Sequence, residues 1–142
     1  MAITATQYPL SVTHGIDYAV DTIMVALVTS GYTYSATHEF FSDITSEVVG
    51  TAYVAGGATM TTPTQAWDAG TTTEKFSFDD VVWATATFTA RGAVVYKSTG
   101  TSTTSPLLGF VDFGADQNPV ATNFTLHVNA AGLLTRQIIA AS

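Results

Sequence analysis

Apolar and polar positions fall into short runs with the two-residue period of strands, densest over residues 81–114. The first run reads Val-Val-Trp-Ala-Thr-Ala-Thr-Phe-Thr-Ala. Strict alternation puts Val82, Ala84, Ala86, Phe88 and Ala90 on one side, with Val81, Trp83, Thr85, Thr87 and Thr89 on the other. A turn at Arg91-Gly92 leads to Ala-Val-Val-Tyr-Lys. After a Ser/Thr/Gly-rich break at 98–105 comes Pro-Leu-Leu-Gly-Phe-Val-Asp-Phe-Gly. Three runs rich in β-branched and aromatic residues, each bounded by turn formers, predict a meander of three strands.

The same reading extends along the rest of the chain. Residues 21–29, Asp-Thr-Ile-Met-Val-Ala-Leu-Val-Thr, form a continuous apolar run, predicting a central strand buried on both faces. Residues 37–44 predict one short helical turn with Thr37 as its N-cap and Glu39 in its first turn. Val48-Val49-Gly50 predicts a short strand or turn, and Gly56-Gly57 a bend with positive φ or a close backbone approach. The Thr-rich stretch 59–73 predicts nothing regular beyond an edge strand near Met60. Lys75-Phe76-Ser77-Phe78 and residues 123–129 alternate cleanly, and 133–141 end the chain as a strand or short helical tail. Pro9 and Gly15 interrupt any long helix near the start, where Tyr8, Leu10 and Val12 alternate. The expected organisation is an extended arm over 1–16 and one domain over 17–142. The fold class is all-β: an antiparallel β-sandwich or barrel-like domain of eight to ten short strands, with at most one short helix.

Composition sharpens this picture in one respect. Of the 142 residues 46% are hydrophobic, which excludes overall disorder, yet only 11% are charged, where about 25% is usual. Threonine is the commonest residue. A surface of hydroxyls and methyls suits either a stable extracellular-type β-domain or a molecule largely covered by other subunits. Depletion of charge favours the second, because interface cores lose Lys and Glu. The net charge is −7, with four scattered basic residues, Lys75, Arg91, Lys97 and Arg136. That argues against direct nucleic-acid binding and against attraction to anionic lipid. The sequence contains no cysteine, so neither disulfides nor thiolate metal sites arise. Its first residues lack the pattern of a secretory leader, and no apolar run approaches the roughly 20 residues of a membrane span, so synthesis in the cytosol is expected.

Candidate chemistry is sparse. His14, His38 and His127 have no partner at metal-ligand spacing, and His38-Glu39 with Asp43 is the nearest approach to a cluster. Asp79-Asp80 and Asp112 could be imagined as paired carboxylates for glycoside hydrolysis, but they read better as turn and strand residues. No nucleophile elbow is present. Asn123-Phe124-Thr125 matches the glycosylation acceptor pattern, which arises readily by chance in a Thr-rich chain. Trp67, Trp83, Tyr32, Tyr34 and Tyr53 could form a sugar-stacking platform, though filling a β core is the more frequent use of aromatics. No catalytic residue, cofactor or metal is expected.

Several segments, taken in order, carry a resemblance. They are Asp21-Thr22-Ile23-Met24-Val25-Ala26-Leu27-Val28, then His38-Glu39-Phe40-Phe41-Ser42-Asp43-Ile44, then Gly50-Thr51-Ala52-Tyr53-Val54-Ala55-Gly56-Gly57. Val94-Val95-Tyr96-Lys97-Ser98-Thr99-Gly100 follows, and then Pro106-Leu107-Leu108-Gly109-Phe110-Val111-Asp112-Phe113-Gly114. Over roughly residues 17–128 the chain resembles a family of small virion structural proteins of tailed bacteriophages. The resemblance implies a non-enzymatic all-β module of the particle, foremost a capsid decoration or cement protein on the capsid surface, assembled in the host cytoplasm. Its partners would be the major capsid protein and copies of itself, possibly as a trimer. The alternative it leaves open is a tail or head-fibre module contacting host glycans or protein. The start, with Tyr8-Pro9-Leu10, departs from the helical beginning usual in that family. Strand addition by an arm makes Tyr8, Pro9, Leu10 and Val12 the candidate partner-interface residues.

Overall fold

A computed structural model describes residues 4–8, 20–61, 64–68, 70, 73–126 and 134–137; for 4–7, 64–68, 73–77 and 134–137 it describes the backbone. The fold is all-β. Among the described residues there are ten strands: β1 (Thr4–Gln7), β2 (Ile23–Val28), β3 (Ala58–Thr59), β4 (Thr64–Asp68), β5 (Thr73–Ser77), β6 (Val81–Ala86), β7 (Ala90–Lys97), β8 (Leu107–Gln117), β9 (Thr122–Leu126) and β10 (Leu134–Gln137). The pairings of named strands are antiparallel. They form a five-stranded sheet in the order β1-β8-β7-β2-β3, a three-stranded sheet β10-β5-β4 and a two-stranded ribbon β6-β9.

The apolar run of β2 is explained by burial on both faces, next to the central β7. Ile23, Val25 and Leu27 join Ala93 and Val95 of β7 and Val111 and Phe113 of β8 in one core. Trp83 of β6, Phe88 just after it, and Phe124 and Leu126 of β9 pack into the same core. Ala26 and Val28, with Val94, Tyr96, Leu107 and Phe110, face the opposite way into a second core. No sheet covers it. Tyr8 and the segment carrying Tyr32, Tyr34, Phe41 and Ile44 roof it instead.

The meander expected over 81–114 is not what forms. β7 and β8 pair, but β6 belongs to the ribbon with β9. Arg91-Gly92 is no turn; both lie inside β7, and the chain changes sheet at 87–89. The alternation of the first run also breaks. Val81 and Trp83 are buried, and so are Ala86, Phe88 and Ala90. The cause is a β-bulge: Trp83 pairs with Phe124 and Ala86 with Thr122, three steps on β6 against two on β9. Thr85 takes φ 52° there, and its amide donates to Asn123 Oδ1 at 3.1 Å. One extra residue exchanges the buried and exposed faces, which no strict period can anticipate.

Other local readings are corrected likewise. The helical turn near residue 40 is a 3-10 turn at Phe41–Asp43, entered from Phe40 rather than Thr37. Asp43 secures it by accepting the Glu39 and Phe40 amides at 2.9 and 3.1 Å. A second 3-10 turn, Ser102–Thr104, lies in the Ser/Thr-rich break, so the described residues hold two such turns where one was expected. That break is held by hydroxyls: buried Ser105 donates to the Thr101 carbonyl at 2.7 Å and accepts the Thr99 amide at 3.1 Å. The Thr-rich stretch holds a regular strand, β4, paired along its length with β5. At Gly56-Gly57, where positive φ or a close approach was expected, Gly57 shows both: its φ is 86° and it lies against the Val25 carbonyl.

Candidate interaction surface

Of the four arm residues proposed from sequence, Tyr8 is described and Pro9, Leu10 and Val12 lie outside the described residues. β1 is extended and adds to the edge of its own five-stranded sheet, with Thr4 opposite Asp112 and Gln7 opposite Gly109. Just beyond it the Tyr8 amide donates to the Leu108 carbonyl at 3.0 Å. The Tyr8 ring is wholly buried within the chain (0% exposed), packed on Tyr34 at 5.1 Å between centroids. Its hydroxyl meets that of Tyr32 at 2.6 Å, and Tyr32 in turn meets His38 Nδ1 at 2.8 Å. Burial first, then the bond to Tyr32, pushes the Tyr8 phenol far above its ordinary value, so it stays protonated.

His14 and His127 lie outside the described residues; of the carboxylates considered from sequence, Asp112 has its side chain engaged within the chain. Asp112 Oδ1 accepts the Gly114 amide at 2.8 Å and Arg91 Nε–H at 3.1 Å, fixing the irregularity where β8 carries more residues than β7. These two contacts, the amide foremost, hold its carboxyl below the usual range. Asp79 and Asp80 are exposed just before β6, where the Asp79 amide donates to the Thr61 carbonyl. Among the described residues no group of three or more His, Asp or Glu side chains is placed to hold a metal ion. Trp83, Tyr32 and Tyr53 are core residues rather than a stacking platform, and the Asn123 side chain is engaged at the bulge.

What the surface does present is valine. Val49 is 93% exposed, Val120 73% and Val54 71%. Two of the loops that carry these residues meet at Thr87. Thr51 and Thr87 exchange backbone hydrogen bonds at 2.9 and 3.3 Å. From the other side the Ala121 amide donates to Thr87 Oγ1 at 2.9 Å, and the Phe88 amide to the Pro119 carbonyl at 3.3 Å. Thr89 Oγ1 adds a bond to Asn118 Oδ1 at 2.8 Å. Ala52, Thr85 and Ala121, all near this junction, hold positive φ of 71°, 52° and 50°. Left-handed non-glycine backbone is costly, and it persists where the surroundings over-determine it.

The loop bearing Val49 and Val54 is also tied to the body. Glu47 Oε2 accepts the Tyr53 hydroxyl at 2.5 Å and the Gly56 amide at 2.6 Å, while Tyr53 accepts the Leu27 amide at 3.0 Å. The Tyr96 hydroxyl donates to the Gly56 carbonyl at 2.5 Å; burial, then the nearby Glu47 charge, pushes that phenol up to about 12. The exposed methyls therefore sit on braced loops rather than slack ones. An apolar group so presented loses little conformational entropy when covered. The sequence carries no periodic signal for them. Val49 and Val120 stand in short segments broken by Gly, Thr and Pro, where hydrophobic patterning is silent.

Comparison with protein-family models, with curated proteins and with solved structures finds no match for the chain.

Proposed function

We propose that this chain is a structural protein of a tailed-bacteriophage virion, a decoration protein that binds the capsid lattice, stabilises the head and associates with copies of itself. The observation that carries the reading is the braced pair of loops offering Val49, Val54 and Val120 to a partner. A charge-poor, hydroxyl-rich composition supports it, because such a surface is cheap to desolvate. The sequence resemblance supplies the particle.

The test is co-sedimentation of purified protein with undecorated capsid shells at micromolar concentration. Wild type is expected to pellet with the shells. The double variant Val49→Asp/Val120→Asp, which alters only exposed side chains, is expected to remain folded by circular dichroism and to stay in the supernatant. Absence of wild-type binding would overturn the capsid reading. Equal binding by the variant would remove the valines from the contact.

A further inference from the structure

The junction at Thr87 has a property that its valines alone do not convey. Residues 48–61, 81–90 and 117–126, the three segments hydrogen-bonded together there, contain no Asp, Glu, Lys, Arg or His. Charges begin where these segments end, at Glu47, Asp79-Asp80, Arg91 and Asp116, and the Glu47 carboxylate is engaged by Tyr53 and the Gly56 amide. The side chains exposed on the three segments include Val49, Val54, Val82 and Val120, with threonines and alanines such as Thr87 and Ala121.

An uncharged surface on a chain of net charge −7 discriminates between partners. A foreign protein gains steering and register by setting basic groups against carboxylates, and these segments offer it none. A second copy is in the opposite position. It carries the same −7, so it is repelled wherever one acidic surface approaches another. Close to a rotation axis each residue lies near its own counterpart, so any charge there meets its like. Self-contact is therefore favoured where charge is missing and methyls stand on braced backbone, and the Thr87 junction combines the two. We infer that this junction is the contact between copies of the chain: the valines of one copy pack against the same surface of the next about a symmetry axis. The inference rests on the proposed reading of these valines as a partner contact and names that partner as a second copy. Attachment to a shell then falls to another part of the surface, and losing the junction weakens it through lost multivalency.

The test uses the purified full chain without shells, by sedimentation velocity and light scattering at about 1–100 μM. Wild type is expected to associate, with a mass that is a multiple of 14.9 kDa. Repulsion between the acidic bodies opposes a contact that holds no ion pair. Raising salt from about 0.05 to 0.5 M should therefore tighten association by about threefold or more. Val49→Asp/Val120→Asp should weaken it by about 100-fold or more and run as a single 14.9 kDa chain. Val49→Lys/Val120→Lys should do the same although it reduces the net negative charge, and an equimolar mixture of the two variants should associate again. A wild-type monomer throughout this range would overturn the inference, and so would association that weakens with salt. An Asp variant that stays associated, or a mixture of folded variants that stays monomeric, would also overturn it. Should the variants fail to fold by circular dichroism, the wild-type mass and its salt dependence decide. A wild-type monomer that still pellets with shells would sink the self-contact and leave the capsid reading standing; association in solution without shell binding would do the reverse.

Discussion

Thr85 is a β-branched residue in left-handed backbone, held there by the bulge and by the Asn123 side chain. Its own side chain is exposed. Glycine removes steric strain of roughly 1–2 kcal/mol and costs about 0.5–1 kcal/mol in unfolded-chain entropy. Thr85→Gly is therefore expected to raise the urea midpoint slightly at unchanged m. Tyr53 gives the opposite case. Its hydroxyl accepts the amide of wholly buried Leu27 and donates to Glu47. Tyr53→Phe keeps the ring and strands that amide, at an expected cost of about 2–3 kcal/mol by the same assay. Neither residue advertises its role. Thr85 is one threonine among many, and Tyr53 looks like any core aromatic, because each role depends on a partner distant in sequence.

Among elements, those specified by their own residues were legible. The apolar run of β2 announced burial on both faces, and Gly56-Gly57 announced a close pass of backbone. A Cβ on Gly57 would stand 1.8 Å from the Val25 carbonyl oxygen at a φ of 86°, so Gly57→Ala is expected to destabilise by about 3 kcal/mol or more. What the sequence withheld was pairing. β6 and β7 adjoin along the chain yet enter different sheets, and the bulge in β6 exchanges its faces midway. Long-range register of that kind leaves no local trace. The candidate surface was legible only as a lack of charge, since its valines sit where no period operates.

Acid should act on two elements together. Asp43 holds the first 3-10 turn and Asp112 the β8 irregularity, and backbone amides chiefly lower both carboxyls. Groups with a depressed folded value contribute stability that is present above the ordinary carboxylate range. It is lost as pH falls through the folded value. Asp43→Asn/Asp112→Asn is therefore expected to flatten the decline of thermal midpoint below about pH 4, read by circular dichroism.

For the whole molecule, the five-stranded sheet is covered by unlike partners. One face meets a β-ribbon; the other is roofed by Tyr8 and the turns of residues 32–44. Strand ladders are cooperative, whereas a cladding of turns holds by ring contacts such as Phe41 on Tyr96 at 4.2 Å. Phe41→Ala should therefore cost about 2–3 kcal/mol of roof stability and speed exchange around residues 38–44 well before it affects β7. The molecule is in this sense two shells of unequal hardness. Mild stress strips the softer one and leaves a still-folded frame with an aromatic inner wall newly bared, a form that can stick to a neighbour without having come apart.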